Sequence, residues 1–229
     1  MSSALTVLQK EMRGCRMCLE AGYAITPGAV FQGTAGARVM LIGQAPGYTE
    51  VEAKRPFNAG SGQRLFAWLG AAGWAEQEFR RRHYMTSVTK CYPGRSANGK
   101  GDRVPSKAEQ QLCRPYLERE MALVNPRVVI PGGGLAIKLF YAARLRLKDI
   151  IGTAAYIPPA VLAQGNKFTL LGADRFLATF DPQRPENGRW VVPLPHPSGA
   201  SLWPNRPENK ALIQQAVELL AEMRAVWQL

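Results

Sequence analysis

The sequence predicts an α/β fold: a three-layer α/β/α sandwich around a central, mostly parallel, four-stranded sheet. Three observations predict it. Four short apolar runs have strand length: "ARVMLIG" (37–43), "HYMTSVTK" (83–90), "NPRVVIPGGG" (125–134) and "GRWVVPLP" (188–195). The first is apolar without alternation, the pattern of a strand buried on both faces. Helical segments with start and stop signals separate these runs, and that alternation builds a parallel sheet covered on both sides. A chain of 229 residues is long enough to bury one large core.

The elements follow in order. Residues 4–13 read as a short helix leading to a cysteine pair. "SGQRLFAWLGAAG" (61–73) reads as a helix with Leu65, Leu69 and Ala72 on one face and Gly73 as its stop. After Pro105, Ser106 and Glu109 form a capping box. It starts a helix that carries Cys113, bends at Pro115 and ends near Val124. "PENKALIQQAVELLAEMRAVWQL" is a C-terminal amphipathic helix. Residues 142–187 mix apolar runs with loop signals and read as a hairpin or a lid. The glycine-rich, basic stretches 94–103 and 181–189 read as exposed, solvated loops, with contact to phosphate as the alternative for either. In parallel sheets a ligand sits at the carboxyl ends of the strands. Three loops leave those ends: 43–57, 87–95 and 195–207.

Composition bounds the function. Apolar residues make up 46% and charged residues 20%, ordinary for a globular protein. We see neither an apolar run of membrane-spanning length nor a secretory signal, so the expectation is a cytoplasmic protein without a membrane partner. The net charge of +12 fits a polyanionic partner, nucleic acid before an anionic membrane surface. The alternative is an inert basic surface.

The four cysteines are Cys15 and Cys18 in "GCRMCLE", Cys91 in "TSVTKCYPG" and Cys113 in "QQLCRPYL". Disulfides do not suit a reducing cytoplasm. A short C-x2-C chelate completed by two distant thiolates suits a metal site, and both zinc and [4Fe–4S] accept four thiolates. The alternative is a set of unrelated buried thiols.

Of the two histidines, His83 starts a strand and reads as structural. His196 sits in "PLPHPSGAS", where Pro195 and Pro197 stiffen the loop around the imidazole. A neutral imidazole there can donate to an oxygen that gains negative charge.

Together, "GQAPGYTE" (43–50), "RPFNAGSGQRL" (55–65), "TSVTKCYP" (86–93), "CRPYL" (113–117) and "HPSG" (196–199) appear in an order that resembles the uracil-DNA glycosylase superfamily. The pattern is most similar to its cysteine-ligated families 4 and 5. The likeness spans about residues 10–140 and 190–215 and leaves 142–187 uncovered. It implies one glycosylase-like domain over 1–229, with 142–187 as a family-specific insertion.

The resemblance implies a monofunctional glycosylase that hydrolyses the N-glycosidic bond of uracil in DNA after flipping the nucleotide out of the stack. It implies a [4Fe–4S] cluster on Cys15, Cys18, Cys91 and Cys113, with zinc as the alternative. Uracil-containing DNA is the implied partner, and the implied setting is a monomer in a prokaryotic cytoplasm, associated with the nucleoid. Phe57 would stack on the flipped base. The backbone near Gln44 and Ala45 would bind its carbonyl, and His196 would donate to uracil O2 as the leaving group becomes anionic. Ser61, in the Gly60-Ser61-Gly62 helix start, and Ser198 would hold phosphates. Leu202 or Trp203 would wedge into the vacated stack, with Arg206 on a phosphate.

Two positions depart from the family 4 pattern. Gln44 stands in place of a glutamate; an amide orients a water but does not deprotonate it. Glu50 is then the first candidate for the catalytic carboxylate and Glu52 the second, each with a solvated surface residue as the alternative. Ser87 stands in place of an asparagine that reads the base edge. A hydroxyl is shorter and less discriminating than an amide, so the expected range extends to hypoxanthine and xanthine. The same two departures motivate the alternative of a non-catalytic or covalent uracil-DNA binding protein.

Overall fold

The computed structural model describes residues 3–97, 99, 101–165, 168, 170–199 and 201–229. Asn98, Lys100, Asn166, Lys167, Thr169 and Ala200, which fall within segments read above, lie outside the described residues. In chain order the elements are α1 (Ala4–Gly14), α2 (Met17–Glu20), β1 (Val39–Gly43), α3 (Tyr48–Ala53), α4 (Gly60–Ala71), α5 (Glu76–Arg82) and β2 (Tyr84–Ser87). There follow α6 (Lys107–Val124), β3 (Val128–Pro131), α7 (Gly134–Ile137), α8 (Leu147–Ile150), β4 (Ala154–Ile157), α9 (Pro159–Leu162), β5 (Phe176–Leu177), β6 (Arg189–Val191) and α10 (Pro207–Trp227).

The sheet has six strands in the order β2-β1-β3-β6-β4-β5. β1 pairs in parallel with β2 and with β3, and β3 pairs in parallel with β6. These are the four strands expected from the sequence. The expectation of four strands is corrected by β4, antiparallel to β6, and β5, antiparallel to β4. Both come from 142–187, which thus adds a hairpin to the sheet edge. β4 has four residues and β5 two, too few to show a period in the sequence.

Every residue of β1 is buried, from Val39 to Gly43, so helices must cover both of its faces. α1 packs on α6 through Leu5, Leu8 and Met12, spaced along one helical face. Its N-terminus is capped by Ser3, whose hydroxyl accepts the Thr6 amide at 3.2 Å. In α6 the capping box forms as read: the Ser106 hydroxyl accepts from the Glu109 amide at 3.2 Å and the Glu109 carboxylate from the Ser106 amide at 2.7 Å. The helix runs through Pro115. α10 lies against α4 and buries Ile213, Ala216, Val217, Leu220 and Met223. Among the described residues no helix is long and apolar enough to cross a membrane.

Two buried polar groups shape the core. Lys90 and Glu120 form an ion pair at 2.6 Å, with side chains 3% and 0% exposed, so neither charge reaches water. The pair survives because its remaining valences are filled. Tyr84 and Thr86 donate to Glu120 at 3.0 Å, and Lys90 donates to Thr86 Oγ1 and to the Ser87 carbonyl.

His83 is the second group. It packs edge-on against Phe79 and Trp74, with ring centroids 4.7 and 5.9 Å away, and neither ring nitrogen has a partner among the described residues. Burial pushes the imidazole down from 6.5 to about 4, so the fold holds it neutral. The unfolded chain then binds an extra proton between pH 6.5 and 4. The contribution is therefore complete above 6.5 and lost as pH falls, by on the order of 3 kcal/mol. We expect His83→Phe to flatten this acid dependence, measured as urea unfolding at pH 7 and near pH 4.5; an unchanged slope would refute the assignment.

Candidate active site

The site is built where the parallel strands end. After β1 the chain turns at Pro46-Gly47. The following stretch, read as a charged loop, folds instead into the short helix α3. Glu50 causes the difference. Its carboxylate reaches back to the Gly47 amide at 2.5 Å and also accepts the amides of Phe57 and Asn58. The side chain is buried, and burial raises its carboxyl above the usual range even though the backbone donors oppose this.

Phe57 has φ of 52°, a left-handed conformation that is unfavourable for an aromatic residue. The surroundings hold it there. Arg80, 5% exposed, donates to the carbonyls of Pro56 and Phe57 at 2.7 and 2.8 Å. Its guanidinium is oriented by Glu76 at 2.8 Å and rests on the Phe66 ring at 4.4 Å. Two glycines give the room. A Cβ on Gly62 would stand 2.0 Å from the Phe57 carbonyl oxygen, and one on Gly43 would stand 2.9 Å from the Phe57 ring. The "RPF" segment and the glycine of "GSG" are thus one mechanical unit.

His196 follows β6. The Ser198 backbone amide donates to its Nδ1 at 3.2 Å, and the Ser198 hydroxyl lies 2.9 Å from the same atom. A backbone N–H can only donate, so Nδ1 must accept, and a neutral ring carries its proton on Nε2. Burial holds the imidazole below its ordinary value, which favours that neutral form. A Cβ on Gly133, at φ of 87°, would stand 2.7 Å from His196 Cδ2, so glycine is required where the chain passes the ring between β3 and α7.

A cleft of about 600 Å³ gathers residues from the exits of β1, β3 and β6, with Pro93 and Arg95 from the stretch that follows β2. Gln44, Ala45, Glu50, Phe57, Ser61, His196 and Ser198 all line it. Ser87 lines a narrower adjoining recess with Gly43, Pro46, Glu50 and Phe57, and its hydroxyl donates to the Thr89 carbonyl at 2.7 Å. Glu52 does not line the cleft; it is exposed and accepts the Tyr48 hydroxyl. Leu202 is 73% exposed and adjoins Ser201 on the cleft rim. Trp203 instead packs against the core, with its carbonyl accepting from Asn209 at 2.8 Å. Arg206 is exposed at the start of α10.

Sequence reading missed one wall of the cleft. Tyr48, Arg95, Asp102 and Arg103 line it, three of them from the stretch read as a plain exposed loop. The Tyr92 hydroxyl donates to Asp102 at 3.0 Å, and Arg103 grips Glu109 at 2.6 and 2.7 Å. A single carboxylate in a basic loop carries no spacing that would have marked it.

Behind the cleft wall, Cys15, Cys18, Cys91 and Cys113 line one largely apolar cavity with Met12, Ile25, Leu112 and Tyr116. None is in a disulfide. Burial first, then the neighbouring thiols, push Cys18 up to about 11; burial pushes Cys113 to about 12. The amides of Gly28 and Lys90 point at the sulfurs of Cys91 and Cys113. Among the described residues no three His, Cys, Asp or Glu side chains converge closely enough to hold a single metal ion. Four unpaired thiols with amide donors and apolar walls fit a thiolate-bound group.

The family model described as "Uracil DNA glycosylase superfamily" matches residues 30–221. The chain belongs to that superfamily. Among individual proteins it is similar to several named Type-4 uracil-DNA glycosylase. That of Pyrobaculum aerophilum is 32% identical over 114 residues, 50% of this chain and 53% of the relative, so the match spans about half of that protein's length. That of Sulfurisphaera tokodaii is 24% identical over 189 residues, 75% of this chain and 81% of the relative. That of Thermotoga maritima is 26% identical over 153 residues, 67% and 68% of the two chains. Cys91 and Cys113 lie inside the family match and Cys15 and Cys18 precede it.

Metal analysis checks the cysteine cavity. Iron with an equal amount of acid-labile sulfide, both lost in Cys113→Ser together with thermal stability, is the expected result. Zinc without sulfide would assign a single ion to the cavity, and no metal at all would remove the site.

Proposed function

We propose that this protein is a monofunctional uracil-DNA glycosylase, which hydrolyses the N-glycosidic bond of uracil flipped out of DNA. One observation carries the reading: His196 presents an Nε2–H, its tautomer set by Ser198, in the same cleft as the Phe57 ring. That pairing suits a flat base whose carbonyl becomes an oxyanion as the bond breaks. The ring stacks on the base face and the imidazole donates to O2. The donor is preorganised, because the ring need not change tautomer or shed water during the reaction.

The remaining roles follow from the same cleft. The backbone at Gln44 and Ala45 receives the base carbonyl, and Ser61 and Ser198 receive flanking phosphates. Ser87, whose hydroxyl proton is engaged by Thr89, is left with acceptor capacity toward the base. An acceptor alone suits the N3–H of uracil and equally the N1–H of hypoxanthine, which supports a range beyond uracil. Cys15, Cys18, Cys91 and Cys113 hold a [4Fe–4S] cluster, a reading supported by the one apolar cavity that all four line. Such a group, when bound, ties the N-terminal segment and α6 to the exit of β2.

Two experiments test this. Single-turnover release of base from duplexes carrying uracil, hypoxanthine or xanthine should show uracil excised fastest and hypoxanthine detectably. His196→Ala should lower the uracil rate by about 100- to 1000-fold, the range for loss of one oxyanion donor. The wild-type rate should hold as pH falls to the ordinary histidine value near 6.5, because burial lowers the His196 transition and only the protonated ring loses the tautomer. Stable retention of uracil-DNA without base release would favour the binding-protein alternative. For the wedge, Leu202→Ala should weaken excision from duplex DNA by roughly tenfold or more while sparing single-stranded DNA, which has no stack to refill. Equal losses on both substrates would assign the wedge elsewhere.

A further inference from the structure

The glycosylase reading leaves open which group activates water, and the cleft offers three carboxylates or near substitutes. Gln44 has no proton affinity to use. Glu50 is buried, and three backbone amides from Gly47, Phe57 and Asn58 already occupy its oxygens. Spending that carboxylate on a proton would release the loop that presents Phe57. Asp102 differs on both counts. It is exposed, lines the same cleft as His196 and Phe57, and its Oδ1 is oriented by the Tyr92 hydroxyl at 3.0 Å. Its Oδ2 is the atom nearest to where a Gly47 Cβ would stand, at 3.4 Å, with Glu50 Oε2 next at 3.6 Å. The Asp102 carboxylate thus stands in ordinary van der Waals reach of the Pro46-Gly47 turn, on the wall of the cleft. Tyr92 is itself held by an edge-on contact with Tyr48 at 5.9 Å.

We propose that Asp102 is the carboxylate that takes the proton of the attacking water, and that Glu50 is a positioning residue for the Phe57 loop. The assignment rests on the glycosylase reading. In the step, the C1′–N1 bond breaks and its electron pair leaves with uracil, whose O2 charge is met by His196. The water oxygen bonds to C1′ and passes one proton to Asp102. That proton then goes to solvent, and the uracil anion takes a proton from solvent, so the sum is hydrolysis to free uracil and an abasic site. No other reactant is needed.

The test uses the full chain as isolated, under single turnover, on a uracil-containing oligonucleotide. Asp102→Asn keeps the shape and the Tyr92 hydrogen bond but accepts no proton. We expect its rate to fall on the order of 100-fold with oligonucleotide affinity and melting temperature unchanged. Asp102→Ala should fall similarly, and added formate should restore part of its rate while leaving wild type and His196→Ala unaffected. A wild-type rate in Asp102→Asn overturns the assignment while leaving the glycosylase reading intact. So does a lost rate in Asp102→Ala that formate leaves unmoved. A wild-type chain that releases no uracil overturns the glycosylase reading itself, and this assignment with it.

Discussion

The site depends on how the chain satisfies its backbone after leaving β1. Residues 44–58 have no strand to pair with, yet they run partly buried, and buried N–H and C=O groups need partners. Two charged side chains supply them. Glu50 collects the amides of Gly47, Phe57 and Asn58, and Arg80 collects the carbonyls of Pro56 and Phe57. An anion for the donors and a cation for the acceptors is the strong form of each bond. Between them they hold Phe57 at a positive φ that its own ring disfavours, and so set the aromatic face of the cleft.

The histidine follows the same logic with fewer parts. A peptide N–H two residues on occupies Nδ1, which leaves Nε2–H for the cleft. Burial works in the same direction, since it opposes the imidazolium. The prolines on either side limit how far the ring can move. Catalysis by a fixed dipole needs this preorganisation, because a donor that must reorient loses its advantage over water.

The cysteine cavity and the cleft meet at Pro93, which lines both. Arg103 lines the cleft and is held by Glu109, which lines the cavity; this bond lowers Glu109 to about 2. Lys90 lines the cavity, is fixed by Glu120, and donates to the carbonyl of Ser87 beside the narrower recess. A group bound by the four thiols would therefore brace two sides of the cleft without entering it. Both links are charge-assisted, and the Lys90–Glu120 pair is fully shielded from water, so breaking it leaves an uncompensated buried charge.

The sequence by itself determined the parallel block of the sheet, because continuous apolar runs and capping residues report burial and helix starts directly. The main residues of the cleft were also legible, since "GQAPG", "RPF" and "HPSG" are local and ordered. The strands β4 and β5 were not, being too short to carry a period. Nor was the division of labour among the carboxylates. Glu50 and Asp102 are both acids in polar stretches, and nothing local distinguishes them. Only the folded chain surrounds one with backbone amides and leaves the other open beside Tyr92. Likewise Leu202 and Trp203 look alike as wedges until packing half-buries one against the core and leaves the other in solvent. Element identity is written in neighbours along the chain; the role of a charged or apolar side chain depends on neighbours in space, which tertiary structure alone supplies.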